Sequence, residues 1–149
     1  MLKHMVAMAA LAVATIGPVT AWAETAPAVT DLPAVMADYE KSGGFAGIHH
    51  TITIDRYGKA HGVAATTAAD FQLTAEELQS LRRGLGGIST WDSSQAGCDV
   101  SDHFTYTLSY RGRHATRCHE LPSDWRPAIA QFEEMVARHL TIRSTAHGH

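Results

Sequence analysis

The segment from Phe104 to Tyr110 constrains the fold more than any other part of the chain. It reads Phe-Thr-Tyr-Thr-Leu-Ser-Tyr, so large apolar side chains alternate with small hydroxyl side chains without exception. Neighbouring side chains in a strand point to opposite faces of a sheet, so this alternation predicts a strand with one buried face. The following Arg111-Gly112-Arg113 is typical of a turn and predicts a hairpin with a return strand at 114–120.

Three further strand segments are predicted before this hairpin, the last of them short. Residues 34–41 place apolar and polar side chains on opposite sides, and Ile48–Asp55 alternates clearly, with Ile52 and Ile54 on its buried face. After a turn at 56–59, residues 60–65 can return as a short strand. These segments predict an antiparallel sheet of about four strands.

A helix is predicted at 75–84. Thr74 and Glu77 have the spacing of a capping box, in which the hydroxyl accepts from the third amide of the helix and the carboxylate reaches back. Three leucines then repeat at helical spacing: Leu78, Leu81 and Leu85. Glycines at 84, 86 and 87 provide the stop.

A second helix is predicted to begin with Ser123 or Asp124 as its cap and to run to Leu140. Its apolar residues form one stripe, made of Trp125, Ile129, Phe132, Val136 and Leu140. Strands, a helix, a hairpin and a helix follow one another in that order. The order favours an α+β fold with two helices packed on one antiparallel sheet.

The first 23 residues have the three parts of a secretory signal peptide. Lys3 gives a basic start, residues 5–16 are apolar, and Ala21-Trp22-Ala23 places small residues at the positions that a signal peptidase recognises. The apolar stretch is too short for a transmembrane helix. We therefore expect an exported protein, periplasmic or secreted, that makes no membrane contact once the signal is removed.

The rest of the chain has the length of one domain. Residues 24–33 are rich in Pro, Ala and Thr and show no period, which predicts a flexible leader. Residues 34–149 are predicted to form a single domain. The formal net charge is −3, which argues against nucleic acid as a partner because phosphates require a clustered basic face.

Whether the two cysteines, Cys98 and Cys118, form a disulfide depends on the compartment of the protein. Oxidising compartments preserve disulfides, so export predicts a bridge between them. A catalytic thiol is the alternative, since His119 follows Cys118. Consecutive residues of a strand point to opposite faces, however, so this pair is poorly placed for catalysis.

The sequence contains none of the common catalytic motifs. HExxH, CxxC, GxSxG and the phosphate-binding loop are absent. We therefore predict that the protein is not an enzyme and needs no cofactor. Ten histidines leave metal binding open, and the candidates are His49, His50, His103, His114, His119, His147 and His149. None matches a known ligand spacing, which favours surface histidines and predicts no metal site.

A glycine-rich loop at 42–47 carries the candidate binding residues. It reads Ser42, Gly43, Gly44, Phe45, Ala46 and Gly47, with three glycines that permit positive φ values and close backbone approach. Phe45 is a large apolar side chain among small ones. From these residues alone two interpretations stay open: Phe45 folds back onto the core, or it protrudes as part of a binding loop.

Residues 39–48, with the sequence Tyr-Glu-Lys-Ser-Gly-Gly-Phe-Ala-Gly-Ile, resemble the opening strand and loop of the emfourin family. Emfourins are protein inhibitors of protealysin-like, thermolysin-type metallopeptidases. The GGFAG core matches at 43–47. The resemblance continues through the leucine-rich helix, the Phe104–Tyr110 hairpin and Leu121-Pro122, and so covers about residues 34–140.

The resemblance implies an inhibitor of a secreted or periplasmic thermolysin-like zinc metallopeptidase. Such peptidases favour a bulky apolar side chain just after the scissile bond, and Phe45 would meet that preference while the glycines enter a narrow cleft. Two other functions stay open. One is a histidine-dependent periplasmic metal-binding protein, and the other is a binding module that does not inhibit.

Overall fold

The computed structural model describes residues 34–141. The predicted signal peptide (1–23), the leader (24–33) and the last eight residues, with His147 and His149, lie outside this range. The described part has an α+β fold with a single six-stranded antiparallel sheet, in the order β4-β3-β2-β1-β5-β6. The strands are β1 Val35–Gly43, β2 Ile48–Asp55, β3 Lys59–Ala64, β4 Thr67–Gln72, β5 Phe104–Tyr110 and β6 Arg113–Cys118. The helices are α1 Ala75–Gly86 and α2 Arg126–Met135, and α2 continues as a π-helical segment, Val136–Leu140.

The prediction of about four strands was too low, chiefly because β4 was missed. The turn between β3 and β4 consists of Ala65 and Thr66, and Ala65 has a φ of 52°. Two-residue hairpin turns usually have Asn or Gly at positions with positive φ. An alanine there gives no turn signal, so the sequence does not predict the second strand of this hairpin.

The core lies between one face of the sheet and the two helices. Tyr39 of β1, Ile52 of β2 and Leu108 of β5 are fully buried on this face. The ring of Tyr39 stacks on that of Phe132 in α2, with centroids 4.7 Å apart. The alternation of the central strands therefore selects the buried face, as predicted.

The capping box of α1 is confirmed. The Thr74 hydroxyl accepts from the Glu77 amide at 3.2 Å, and the Glu77 carboxylate accepts from the Thr74 amide at 2.8 Å. These two bonds satisfy free amides at the helix start. The helix ends at Gly86, two residues later than predicted.

The predicted cap of α2 was wrong. Trp125 is the N-cap residue, and Asp124 instead accepts hydrogen bonds from the amides of Ser89 at 2.9 Å and Thr90 at 3.0 Å. The Asp124 carboxylate thus stabilises the segment that follows α1, not the start of α2. In the segment 88–91 two consecutive amides are available to the Asp124 carboxylate. The start of α2 is favoured instead by Pro127, which fixes a helical φ in the first turn.

Two observations bear on the predicted compartment. Cys98 and Cys118 form a disulfide, as the export argument predicted. This bond is what an oxidising compartment would preserve. None of the helices in the range 34–141 has the length and apolar character required to cross a bilayer.

Candidate functional site

The glycine-rich segment lies at one end of the sheet, between β1 and β2. β1 runs two residues further than predicted, because Ser42 pairs with His49 on one side and Thr105 on the other. Gly43 is likewise paired on both sides. Ser42 and Gly43 therefore belong to the sheet, and the free loop is 44–47.

The free loop is a tight turn with Phe45 at its tip. The amide of Gly47 donates to the carbonyl of Gly44 at 3.0 Å, so Phe45 and Ala46 occupy the two central positions. Gly44 and Gly47 have φ values of +74° and +59°, which suit glycine. The Phe45 side chain is 94% exposed. Of the two interpretations left open by the sequence, the protruding loop is the one observed.

The back of the loop is held by the chain at the start of β5. The Gly44 amide donates to the carbonyl oxygen of His103 at 2.9 Å. A methyl group at Gly43 would overlap that same carbonyl oxygen, and one at Gly44 would overlap the ring of Phe104. Gly43 is therefore required by the close approach of another backbone segment, whereas Gly44 packs against a side chain. His103 and Phe104 together form the seat of the loop.

The chain segment that supports the loop is itself cross-linked to the hairpin of β5 and β6. The segment before β5 includes Cys98, whose disulfide joins it to Cys118 at the end of β6. The amide of Ser94 donates to the carbonyl of Thr116 at 3.0 Å, and that of His119 donates to Phe104 at 2.8 Å. The disulfide and these bonds fix the position from which His103 supports the loop.

A charged pair lies beneath the same end of the sheet. Lys41 is only 11% exposed, and its ammonium group is 2.6 Å from the carboxylate of Glu133 in α2. The ammonium also lies over the ring of Phe104, 4.4 Å from its centroid. Glu133 accepts a second bond from the Tyr39 hydroxyl at 3.1 Å. This cluster connects α2 to the strand end that leads into the loop.

Burial changes the acid–base properties of this cluster. It raises the pKa of Tyr39, and the nearby Glu133 carboxylate adds to the effect. The pKa of His50 is lowered, first by burial and then by the positive charge of Lys41. The Nδ1 atom of His50 is buried without a hydrogen-bond partner in the described part of the chain. His50 is therefore better described as a neutral, partly buried histidine at the edge of the core than as a metal ligand.

No three of the candidate histidines lie close enough to share a metal ion within residues 34–141. His114 bonds to the Ser109 hydroxyl at 2.8 Å, and His49 lies 3.9 Å from the Glu40 carboxylate. Only one group of three potential metal ligands is brought together among the described residues, namely Cys98, His103 and Cys118. The predicted disulfide accounts for two of its members, but no spacing in the sequence indicates that His103 lies beside them.

Comparisons of this chain with protein-family models, with curated proteins and with solved structures found no match. The loop presents one large apolar side chain at the tip of a turn, on a backbone fixed from behind. This arrangement suits insertion into a partner's pocket, because little order has to be gained on binding.

Proposed function

We propose that the protein is an exported inhibitor of thermolysin-like zinc metallopeptidases, without enzymatic activity of its own. In this proposal the loop predicted at residues 42–47 enters the active-site cleft of the peptidase through its free turn, residues 44–47, and Phe45 fills the apolar pocket of the cleft. The observation that carries the proposal is the almost complete exposure of Phe45 at the tip of a fixed turn. The resemblance of residues 39–48 to the emfourin family supplies the class of partner.

The exposed side chain of Phe45 contributes no free energy of burial unless a partner covers it. Burying a phenylalanine side chain gains about 1.5–3 kcal/mol, and leaving it in water forgoes that gain. Interface residues of this kind are often binding hot spots, worth about 2 kcal/mol or more. The neighbours of Phe45 in the turn are small, so the ring could enter a pocket without obstruction.

A fixed loop also favours inhibition over cleavage. The turn bond between Gly47 and Gly44 and the bond from Gly44 to His103 hold the backbone on both sides of Phe45. A substrate must change shape as the scissile bond reacts, whereas a loop with these restraints resists the change. The disulfide between Cys98 and Cys118 restrains the seat further.

The test is a titration of the purified, oxidised protein against a thermolysin-like peptidase, with excess zinc and calcium present so that chelation by histidines cannot imitate inhibition. We expect saturable, near-stoichiometric inhibition. Phe45→Ala is expected to weaken it at least about 30-fold, the equivalent of the 2 kcal/mol of a hot spot.

Tyr57→Ala is the matched control. Tyr57 is another exposed aromatic residue, 66% exposed, in the β2–β3 turn at the opposite end of β2 from the loop. Its removal should leave inhibition unchanged. Equal losses for both variants, or rapid cleavage of the Gly44–Phe45 bond, would contradict the proposal. Absence of inhibition across several such peptidases would favour a non-inhibitory binding module on the same scaffold.

A further inference from the structure

The group of Cys98, His103 and Cys118 has the composition and spacing of a metal site. One ligand atom from each residue lies within 4.8 Å of the other two. Two thiolates and one imidazole form a ligand set that zinc prefers, with a fourth position left for water. In the oxidised protein the two sulfur atoms are bonded to each other, so this ligand set exists only after reduction.

A hydrogen bond determines which ring nitrogen of His103 is free to bind a metal. Its Nδ1 atom lies 2.9 Å from the carbonyl oxygen of Val100. A carbonyl oxygen can only accept, so Nδ1 carries the proton and Nε2 has a free lone pair. Metal-bound histidines usually have this arrangement, in which the second ring nitrogen donates to a carbonyl or carboxylate.

The fold keeps the three residues together without the disulfide. Cys118 and Thr105 are register partners in adjacent strands, which places Cys118 beside the start of β5. Successive turn bonds hold the segment before β5, from Cys98 to Gln95 at 3.1 Å and from His103 to Val100 at 3.3 Å. Reduction breaks the S–S bond but none of these backbone bonds.

We infer that the reduced protein binds one zinc ion through Cys98, His103 and Cys118. A thiol reductant supplies two electrons to the S–S bond and becomes a disulfide itself, which leaves two thiols on the protein. Each thiol releases one proton when it binds the metal. The disulfide and the zinc site are thus alternative states of the same two sulfur atoms. This inference does not depend on the inhibitory function.

The test is a cobalt(II) titration of the purified protein, followed by zinc competition. Cobalt bound by thiolates gives a sulfur-to-metal charge-transfer band that histidine-only sites do not give. We expect one equivalent of this signal after reduction with a phosphine and none in the oxidised protein. The oxidised sample is also the control for all other histidines, because reduction changes only the two cysteines.

His103→Asn and His119→Asn form the matched pair of variants. His119 lies beside Cys118 but outside the group, and its φ of 57° is tolerated by asparagine. We expect His103→Asn to weaken zinc binding by at least about tenfold and His119→Asn to leave it unchanged. Equal affinities for the two variants would overturn the inference, as would thiolate binding by a reduced chain whose circular dichroism shows it to be unfolded.

Discussion

The main-chain amide of Gly44 donates a 2.9 Å hydrogen bond to the carbonyl oxygen of His103. This bond connects the loop that carries Phe45 to the segment that the disulfide holds. Gly43 packs against the same carbonyl oxygen. The candidate binding loop and the cysteine pair are therefore neighbours through one peptide unit, although 50 residues or more separate them in sequence.

Gly43→Ala should destabilise the protein more than Gly47→Ala. Both glycines have positive φ, +104° and +59°. A methyl group at Gly47 meets nothing nearby, so its cost is the left-handed conformation alone, about 1 kcal/mol. A methyl group at Gly43 also overlaps the His103 carbonyl, and the cost should reach at least about 3 kcal/mol. Urea unfolding of the two variants measures the difference.

The same pair of variants also tests whether the loop rests on the carbonyl group of His103. Gly47 belongs to the free turn and Gly43 to the paired strand. Equal free energies of unfolding for the two variants would show that the chain relaxes around Gly43. The proposed seat of the loop on His103 would then be wrong.

Replacing both cysteines by alanine should lower the free energy of unfolding by about 3 kcal/mol on the chain-entropy model, for a sequence separation of 20. Urea unfolding of the oxidised wild type and the double variant gives the value. The wild type treated with a reductant and a chelator should match the variant, since the chelator removes any metal from the reduced pair. A loss below about 1 kcal/mol would mean that the hydrogen bonds hold the segment alone.

Much of this architecture follows from local sequence patterns. The alternation in Phe104–Tyr110 and the capping box at Thr74 predicted a strand and a helix start that the structure confirms. These signals are local, because the side chains that determine them are near neighbours. The disulfide followed from the compartment argument in the same direct way.

The missed features depend on contacts between distant segments. Asp124 has the residue type of a helix cap, yet the amides it satisfies belong to Ser89 and Thr90. Likewise, the sequence places Phe45 in a glycine-rich loop, but the support of that loop by His103 depends on the pairing of β1 with β5. No spacing in the sequence encodes either contact.

The ion pair of Lys41 and Glu133 should couple more strongly than that of Arg138 and Glu77. Both pairs are 2.6 Å apart, but the first is partly buried, with Lys41 11% and Glu133 38% exposed, whereas the second lies at the surface, with Arg138 40% and Glu77 29% exposed. Water screens the second pair more, and exposed pairs contribute about 0.2–1 kcal/mol. We expect a coupling energy above about 1 kcal/mol for Lys41 and Glu133.

Double-mutant cycles measure both couplings, with Lys41→Met and Glu133→Gln in one cycle and Arg138→Met and Glu77→Gln in the other. The Lys41 variant also removes the ammonium group from the face of Phe104. A smaller coupling for the partly buried pair of Lys41 and Glu133 than for the exposed pair would contradict the prediction. It would mean that the cost of removing the Lys41 charge from water offsets its attraction to Glu133.

Asp124 should make the stability of the protein depend on pH at the acid end. Its hydrogen bond from the Thr90 amide, with further bonds from the amide and hydroxyl of Ser89, lowers its pKa from 3.8 to about 2. The unfolded chain therefore takes up a proton at higher pH than the folded chain. The stabilisation is complete above pH 3.8 and is lost as the pH falls through the folded pKa near 2.

Asp124→Asn tests this contribution. Near neutral pH we expect a loss of about 1 kcal/mol, because the hydrogen bonds to a charged acceptor become weaker bonds to a neutral one. The difference from wild type should shrink as the pH falls from 4 to 2, because the unfolded wild-type chain takes up a proton at Asp124 in this range while the folded carboxylate is protonated only near pH 2. Urea unfolding at a series of pH values gives the curve, and Asp99→Asn, at an exposed position, is the control. A difference that persists unchanged to pH 2 would show that Asp124 contributes through its shape and not through its charge.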